Sequence, residues 1–162
     1  MAQGPHPENR LAETIRPLDA LFDLIILDVP PGNWPEALSA SIAARHLIVP
    51  VTAEYLAIES LAEFLRSYRE LRLKHKGLAT LLGIVLTMVD NRARVTREIV
   101  EILRNHNPEG VFRTEIPWEL RAVEAPSHGE PLVRYAPRTP AAAAFRRLAA
   151  EMLRRLARHT RS

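Results

Sequence analysis

Cysteine is absent from the 162 residues. That excludes a disulfide framework, a thiolate nucleophile and a cysteine-ligated zinc site. Lysine is almost absent: Lys74 and Lys76 stand against twenty arginines. There is no Gly-Lys dipeptide. A phosphate loop of the usual kind needs glycine N–H groups that cradle phosphates and a lysine that reaches them, so none is coded here. No apolar run approaches the roughly 20 residues that span a bilayer. Residues 1–9 are polar and carry no signal-peptide pattern. A cytoplasmic protein without membrane contact is expected. The six histidines have no metal-type spacing with carboxylates.

What is present suits one globular domain. Hydrophobic residues make up 47% of the chain. The expected organisation is a disordered segment at 1–10, a single domain at 11–158 and a tail at 159–162. The formal charge is +3, unevenly distributed: from Arg138 onward seven arginines face one glutamate, while the preceding residues are net acidic. A basic tail can meet nucleic acid or another anionic surface, and it can equally be a solvated helix face.

Periodicity alternates between the two kinds of element. Leu11, Ile15 and Leu18 space like a short helix disturbed by Pro17. The run 22–29, Phe-Asp-Leu-Ile-Ile-Leu-Asp-Val, reads as a strand buried on both faces. Residues 36–45 read as a helix, 46–51 as a strand and 58–74 as an amphipathic helix stopped at Gly77. A strand follows at 81–89, then a helix capped by Thr96 and carrying Ile99, Val100 and Leu103. A short strand at 111–116 precedes a last helix, with the stripe Phe145, Leu148, Ala149, Met152, Leu153 and Leu156. Strands alternating with helices predict an α/β fold, a doubly wound and mostly parallel sheet flanked by helices.

In such sheets ligands bind at the carboxyl ends of strands. Asp28, Glu54, Asp90 and Pro117 stand at those ends. Asp28 closes an apolar strand ahead of Pro30-Pro31-Gly32. A carboxylate there can hold magnesium through water or orient an attacking water, and Gly32 lets a backbone N–H approach a phosphate. Capping the next helix is the other use of an aspartate in that position. Ser127 and His128 are adjacent, and adjacent side chains in a strand-like loop point apart, so they do not read as a nucleophile pair, which would also need a third orienting group and an oxyanion site.

Four ordered motifs carry a resemblance. Residues 22–31 resemble the apolar strand ending D-x-P-P of ParA, Soj and MinD proteins. Residues 48–57, Ile-Val-Pro-Val-Thr-Ala-Glu-Tyr-Leu-Ala, are similar to that family's IPVQCEYYAL stretch. Residues 86–92 are similar to LTMYDAR, and residues 124–131 nearly reproduce EAPSHGKP. The chain therefore resembles the C-terminal part of a ParA/Soj-type partition ATPase of the P-loop NTPase class, without the phosphate-loop segment and its strand.

The resemblance implies several things. ATP and magnesium are the family's cofactors, with Asp28 in the magnesium or water-positioning role and Gly32, Asp90 and Pro117 as remnants of the nucleotide site. Arg92 and Arg121 match the family's non-specific DNA-binding arginines, with Arg94, Arg97, Arg104 and the C-terminal arginines adding to the field. Trp118 and Glu119 stand where the family often has Arg and Asn, and Glu119 is expected to repel phosphate. Implied partners are double-stranded DNA, a ParB-like protein, and a second copy or a full-length ParA-type chain, at the nucleoid. Three readings stand at this point: a plasmid- or chromosome-partition protein with impaired or absent ATP hydrolysis, a non-catalytic interaction module, or a fragment of a longer catalytic ATPase. Loss of the phosphate-loop strand also predicts exposed apolar edges, marginal stability and association with another chain.

Overall fold

The computed structural model describes residues 7–30, 34–75 and 77–159. The chain divides into two compact units, one comprising 1–47 and 66–81, the other 48–65 and 82–162. In chain order its elements are α1 (Arg10–Ile15), α2 (Trp34–Ala43), β1 (His46–Thr52), α3 (Tyr55–Lys74), β2 (Thr80–Thr87), α4 (Arg94–His106), α5 (Leu120–Glu124), α6 (Leu132–Tyr135) and α7 (Pro140–His159), with three short 3-10 turns. The chain is α/β, with β1 and β2 forming a two-stranded sheet flanked by helices.

In the first unit, α1 packs on α2. The Ala79 N–H donates to the Ser41 carbonyl at 2.7 Å, and the Thr80 N–H to Arg45 at 2.9 Å. The Tyr68 hydroxyl donates to the Ala79 carbonyl. The expected strand at 22–29 is not formed. These residues join no sheet among the described residues, and Phe22, Leu24, Ile26 and Val29 are exposed, Ile26 to 76%. A strand is a paired state, since its N–H and C=O groups need a neighbour's ladder. The apolar pattern alone cannot supply that neighbour.

The second unit holds the core, in two layers. Val51, Leu61, Ile84, Leu86, Ile99, Leu103 and Val111 pack together on the side of α3 and α4. Leu82, Val85, Phe112, Ile116 and Ala144 form the other layer, closed by Leu148, Met152 and Leu156 of α7. Helices thus cover both faces, as the period-2 and period-3.6 patterns require. Thr96 is no cap: α4 begins at Arg94 after Ala93, and Thr96 is buried inside it.

The expected strand at 111–116 runs parallel to β2 but touches it as two isolated bridges, Ile84 with Val111 and Val89 with Pro117. Between them the Phe112 N–H still donates to the Ile84 carbonyl at 2.8 Å and the Ile116 N–H to Leu86 at 2.9 Å. The N–H groups of Arg113 and Thr114 donate to the two carboxylate oxygens of Glu151 on α7, at 2.8 and 2.9 Å, and the Thr114 hydroxyl adds a third bond at 2.9 Å. Helix α7 is therefore rotated from the stripe read in the sequence. Phe145 and Leu153 are exposed, while Ala141, Ala144 and Glu151 are buried.

Candidate functional site

Because Val89 and Pro117 are bridged, the carboxyl ends of β2 and of the 111–117 segment lie side by side. The Ile116 carbonyl accepts from Val89 N–H at 3.0 Å, and the Val89 carbonyl from Trp118 N–H at 3.2 Å. This register brings the segment holding Asp90 and Arg92 next to the one holding Pro117, Trp118 and Arg121. Just before the first, Met88 takes φ 53°, the only positive φ of a non-glycine residue among those described. A left-handed turn there ends β2 and leaves Met88 exposed.

Asp90 and Arg92 form one ion pair. The guanidinium donates from Nε to Oδ1 at 2.9 Å and from Nη2 to Oδ2 at 3.0 Å, and the Arg92 backbone N–H adds a bond to Oδ1 at 3.1 Å. These bonds hold the Asp90 carboxyl below its ordinary value and raise the Arg92 guanidinium. The pair is exposed, so a competing anion in solvent can reach it.

Arg121 is held similarly. Its Nη1 donates to Glu124 Oε2 at 2.8 Å, and Tyr135 Oη reaches the same oxygen at 3.4 Å. The Glu124 carboxylate raises the Arg121 guanidinium. Glu119 acts locally, as the N-cap of α5, and its Oε1 accepts the Arg121 N–H at 3.3 Å. Arg94 pairs with Glu98 at 2.7 Å, one turn along α4, and Arg97 is exposed on the same helix.

Two arginines expected to add to the surface field are engaged in the fold. Arg155 is only 17% exposed at its side chain. It donates to the carbonyls of Leu82, Glu109 and Val111 at 3.1, 3.0 and 2.8 Å, and lies 4.1 Å from the centre of the Phe112 ring. Arg104 donates to Glu115 at 2.7 Å and to the Arg113 carbonyl at 3.1 Å. In the EAPSHG block, Ser127 Oγ donates to the Glu124 carbonyl at 2.7 Å, His128 stacks on Tyr135 with ring centres 4.8 Å apart, and Gly129 takes φ 66° to end the turn. These contacts are structural, and no nucleophile is poised there.

The residues that the resemblance assigns to the nucleotide site fall in different units. Asp28 sits on irregular, exposed backbone of the first unit, and Pro31 and Gly32 lie outside the described residues. Asp90 and Pro117 belong to the second unit, where Asp90 is occupied by Arg92. Among the described residues no cluster of three His, Asp or Glu side chains suits a metal ion. Among them, too, no helix is long and apolar enough to cross a membrane.

A family model described as an AAA domain matches residues 1–80. The chromosome-partitioning ATPase Soj of Thermus thermophilus is 42% identical over 146 residues, which is 90% of this chain and 58% of that protein. The chromosome partitioning protein ParA of Myxococcus xanthus is 34% identical over 91% of this chain and 52% of its own length. The chain thus spans little more than half the length of the relatives it matches. Among solved structures, the cell division ATPase MinD of Pyrococcus furiosus superposes with a TM-score of 0.70 at 27% identity, over 91% of this chain and 58% of that one.

Proposed function

We propose, from the premise that this chain belongs to the ParA/Soj family of partition ATPases, that it takes part in DNA segregation by holding duplex DNA non-specifically through an arginine surface on its second unit. Arg92 and Arg121 are its centre, with Arg94 and Arg97 of α4 beside them. One observation carries the reading: these two arginines follow the carboxyl ends of two segments that the Val89–Pro117 bridge joins. Cations placed along phosphates need no base contacts, because phosphate binding is sequence-independent and driven by counterion release.

Each arginine is already paired with an acid, Asp90 or Glu124. Phosphate therefore competes with an exposed intramolecular carboxylate, and exposed pairs are weak enough to yield. A ParB-type partner, pairing with a second ParA-type subunit, and a place at the nucleoid belong to the same reading.

The test is an electrophoretic shift of a random-sequence duplex, with Arg92→Ala and Arg121→Ala combined. The parent is expected to bind, with affinity falling steeply between about 50 and 200 mM salt. The double variant is expected to lose the shift or to flatten the salt dependence by about one unit per arginine. Equal binding by the two proteins would remove the arginine surface from the account.

A further inference from the structure

An open cleft of about 490 Å³ lies in the second unit, where Arg147 of α7 meets the segment 113–117 and the end of β2. Arg113, Glu115, Pro117, Val89 and Asn91 line the rest of it. Its place is set by backbone bonds. The Arg113 N–H donates to Glu151 at 2.8 Å, and the Arg113 carbonyl accepts from Arg104 at 3.1 Å. Glu151 thereby seats α7 on this segment, and Arg147 stands one turn before Glu151 on the helix. Two guanidinium groups from elements distant in sequence thus share one cleft.

The acids around them are already engaged. Glu115 pairs with Arg104 at 2.7 Å, Glu151 with Arg155 at 3.2 Å, and Asp90, next to Asn91, with Arg92 at 2.9 Å. Glu119, the first acid after Pro117, caps α5. Glu151 is the only acid of α7. Among the described residues, the Arg113 and Arg147 side chains have no ion pair. After the three pairs are counted, two positive charges remain, and both line the cleft.

Two like charges held together repel, and an anion bound between them relieves the repulsion. A phosphate monoester near neutral pH approaches a dianion and has three acceptor oxygens. That is enough to accept from two planar guanidinium forks at once. A carboxylate carries one charge and two oxygens, which a single fork satisfies. The cleft is of a size that small-molecule sites have, larger than one phosphate needs. Val89 and Pro117 offer apolar surface to an organic part, and the Asn91 carboxamide can both donate and accept.

We propose that this cleft binds a small phosphorylated molecule, with its phosphate between Arg113 and Arg147 and its organic part against Val89 and Pro117. The site uses neither Arg92 nor Arg121, so it does not rest on the reading of those two as a DNA surface.

The experiment is isothermal titration of the full chain with phenyl phosphate, which joins a dianion to a compact apolar ring. Benzoate serves as the monoanionic control. Phenyl phosphate is expected to bind with a Kd below about 1 mM, and benzoate at least about tenfold more weakly. Arg113→Ala and Arg147→Ala are each expected to weaken phenyl phosphate at least about tenfold. Arg147→Lys, which keeps the charge and loses the fork, should fall between. Arg154→Ala, exposed on α7 outside the cleft, should change nothing. No binding by the parent, or binding untouched by Arg113→Ala and Arg147→Ala, overturns the proposal. So does an equal loss in Arg154→Ala, which would reveal only a diffuse basic surface. Both cleft arginines are exposed, so their variants are expected to fold; if one does not, the lysine variant and the benzoate comparison still decide. A duplex shift separates the two sources of phosphate. If Arg92→Ala with Arg121→Ala loses the duplex but keeps phenyl phosphate, the cleft is a site of its own. If Arg113→Ala with Arg147→Ala loses the duplex and phenyl phosphate never binds the parent, the two arginines belong to DNA and the cleft proposal falls.

Discussion

Glu151 and Arg155 lie one turn apart on α7, joined at 3.2 Å, and between them they hold the segment 109–114. The carboxylate takes the N–H groups of Arg113 and Thr114, while the guanidinium takes the carbonyls of Glu109 and Val111. A helix side-chain pair thus stands in for part of a sheet ladder. Both side chains are largely buried, so removing Glu151 leaves the N–H groups of Arg113 and Thr114 without their bonds and Arg155 without its counter-charge. Glu151→Ala is expected to lower the unfolding free energy by about 3–5 kcal/mol. Urea denaturation of parent and variant checks this, and a loss below about 1 kcal/mol would show that the pair is dispensable.

The same carboxylate makes stability depend on pH. Burial raises the Glu151 pKa, but the N–H groups of Arg113 and Thr114, the Thr114 hydroxyl and the charge of Arg155 together outweigh it, so the folded value lies below the ordinary 4.5. A group depressed in the folded state stabilises above its unfolded pKa and loses that contribution as pH falls through the folded one. Denaturation midpoints between about pH 7 and 5 should therefore be flat with respect to this group and decline below 4.5. Glu151→Gln cannot titrate, so the gap between it and the parent should narrow in acid. A gap that is constant from about pH 6 to pH 3 contradicts the assignment.

Gly83 is required by what lies over it. A Cβ placed there meets Arg155 Nη1 at 2.7 Å and the Phe112 ring at 2.7 Å. Phe112 is fully buried and Arg155 is fixed by three carbonyls, so neither can move aside easily. Gly83→Ala is expected to cost about 1–3 kcal/mol. Thermal denaturation that leaves the midpoint unchanged would mean that the layer between β2 and α7 is looser than these distances indicate.

Residues 21–29 present Leu21, Phe22, Leu24 and Ile26 to solvent. Exposed apolar surface on backbone that joins no sheet favours association. Static light scattering is expected to rise with protein concentration, and Ile26→Lys to suppress that rise while leaving the unfolding midpoint nearly unchanged, since a side chain already 76% exposed loses little packing. A parent that stays monomeric at high concentration refutes it.

Much of the fold is legible in the sequence because it rests on local period. The runs at 46–51 and 81–89 correspond to β1 and β2, and the long amphipathic stretch to α3. Asp90 and Pro117 read as strand-end residues, and the Val89–Pro117 bridge does bring their segments together. What escapes depends on partners distant in sequence. The run 22–29 has the pattern of a buried strand, yet pattern cannot provide a neighbour. Glu151 and Arg155 look like an ordinary solvent-facing pair at i, i+4 in an arginine-rich helix. Only the sheet beneath them, 37 and 38 residues back at Thr114 and Arg113, reveals that they face inward. Arg92 and Arg121 stand out as cations, and their intramolecular acids are close by in the chain: Asp90 two residues before Arg92 and Glu124 three after Arg121 are the available signal.

The clasp of α7 on the segment 109–114 also sets what the backbone can do in time. An amide bonded to a neighbouring strand exchanges its proton when the sheet opens; the amides of Arg113 and Thr114 are released instead when a helix turn unwinds or lifts. Their exchange rates then belong to α7, and a protease that trims the chain back past Glu151 loosens a strand it never touches.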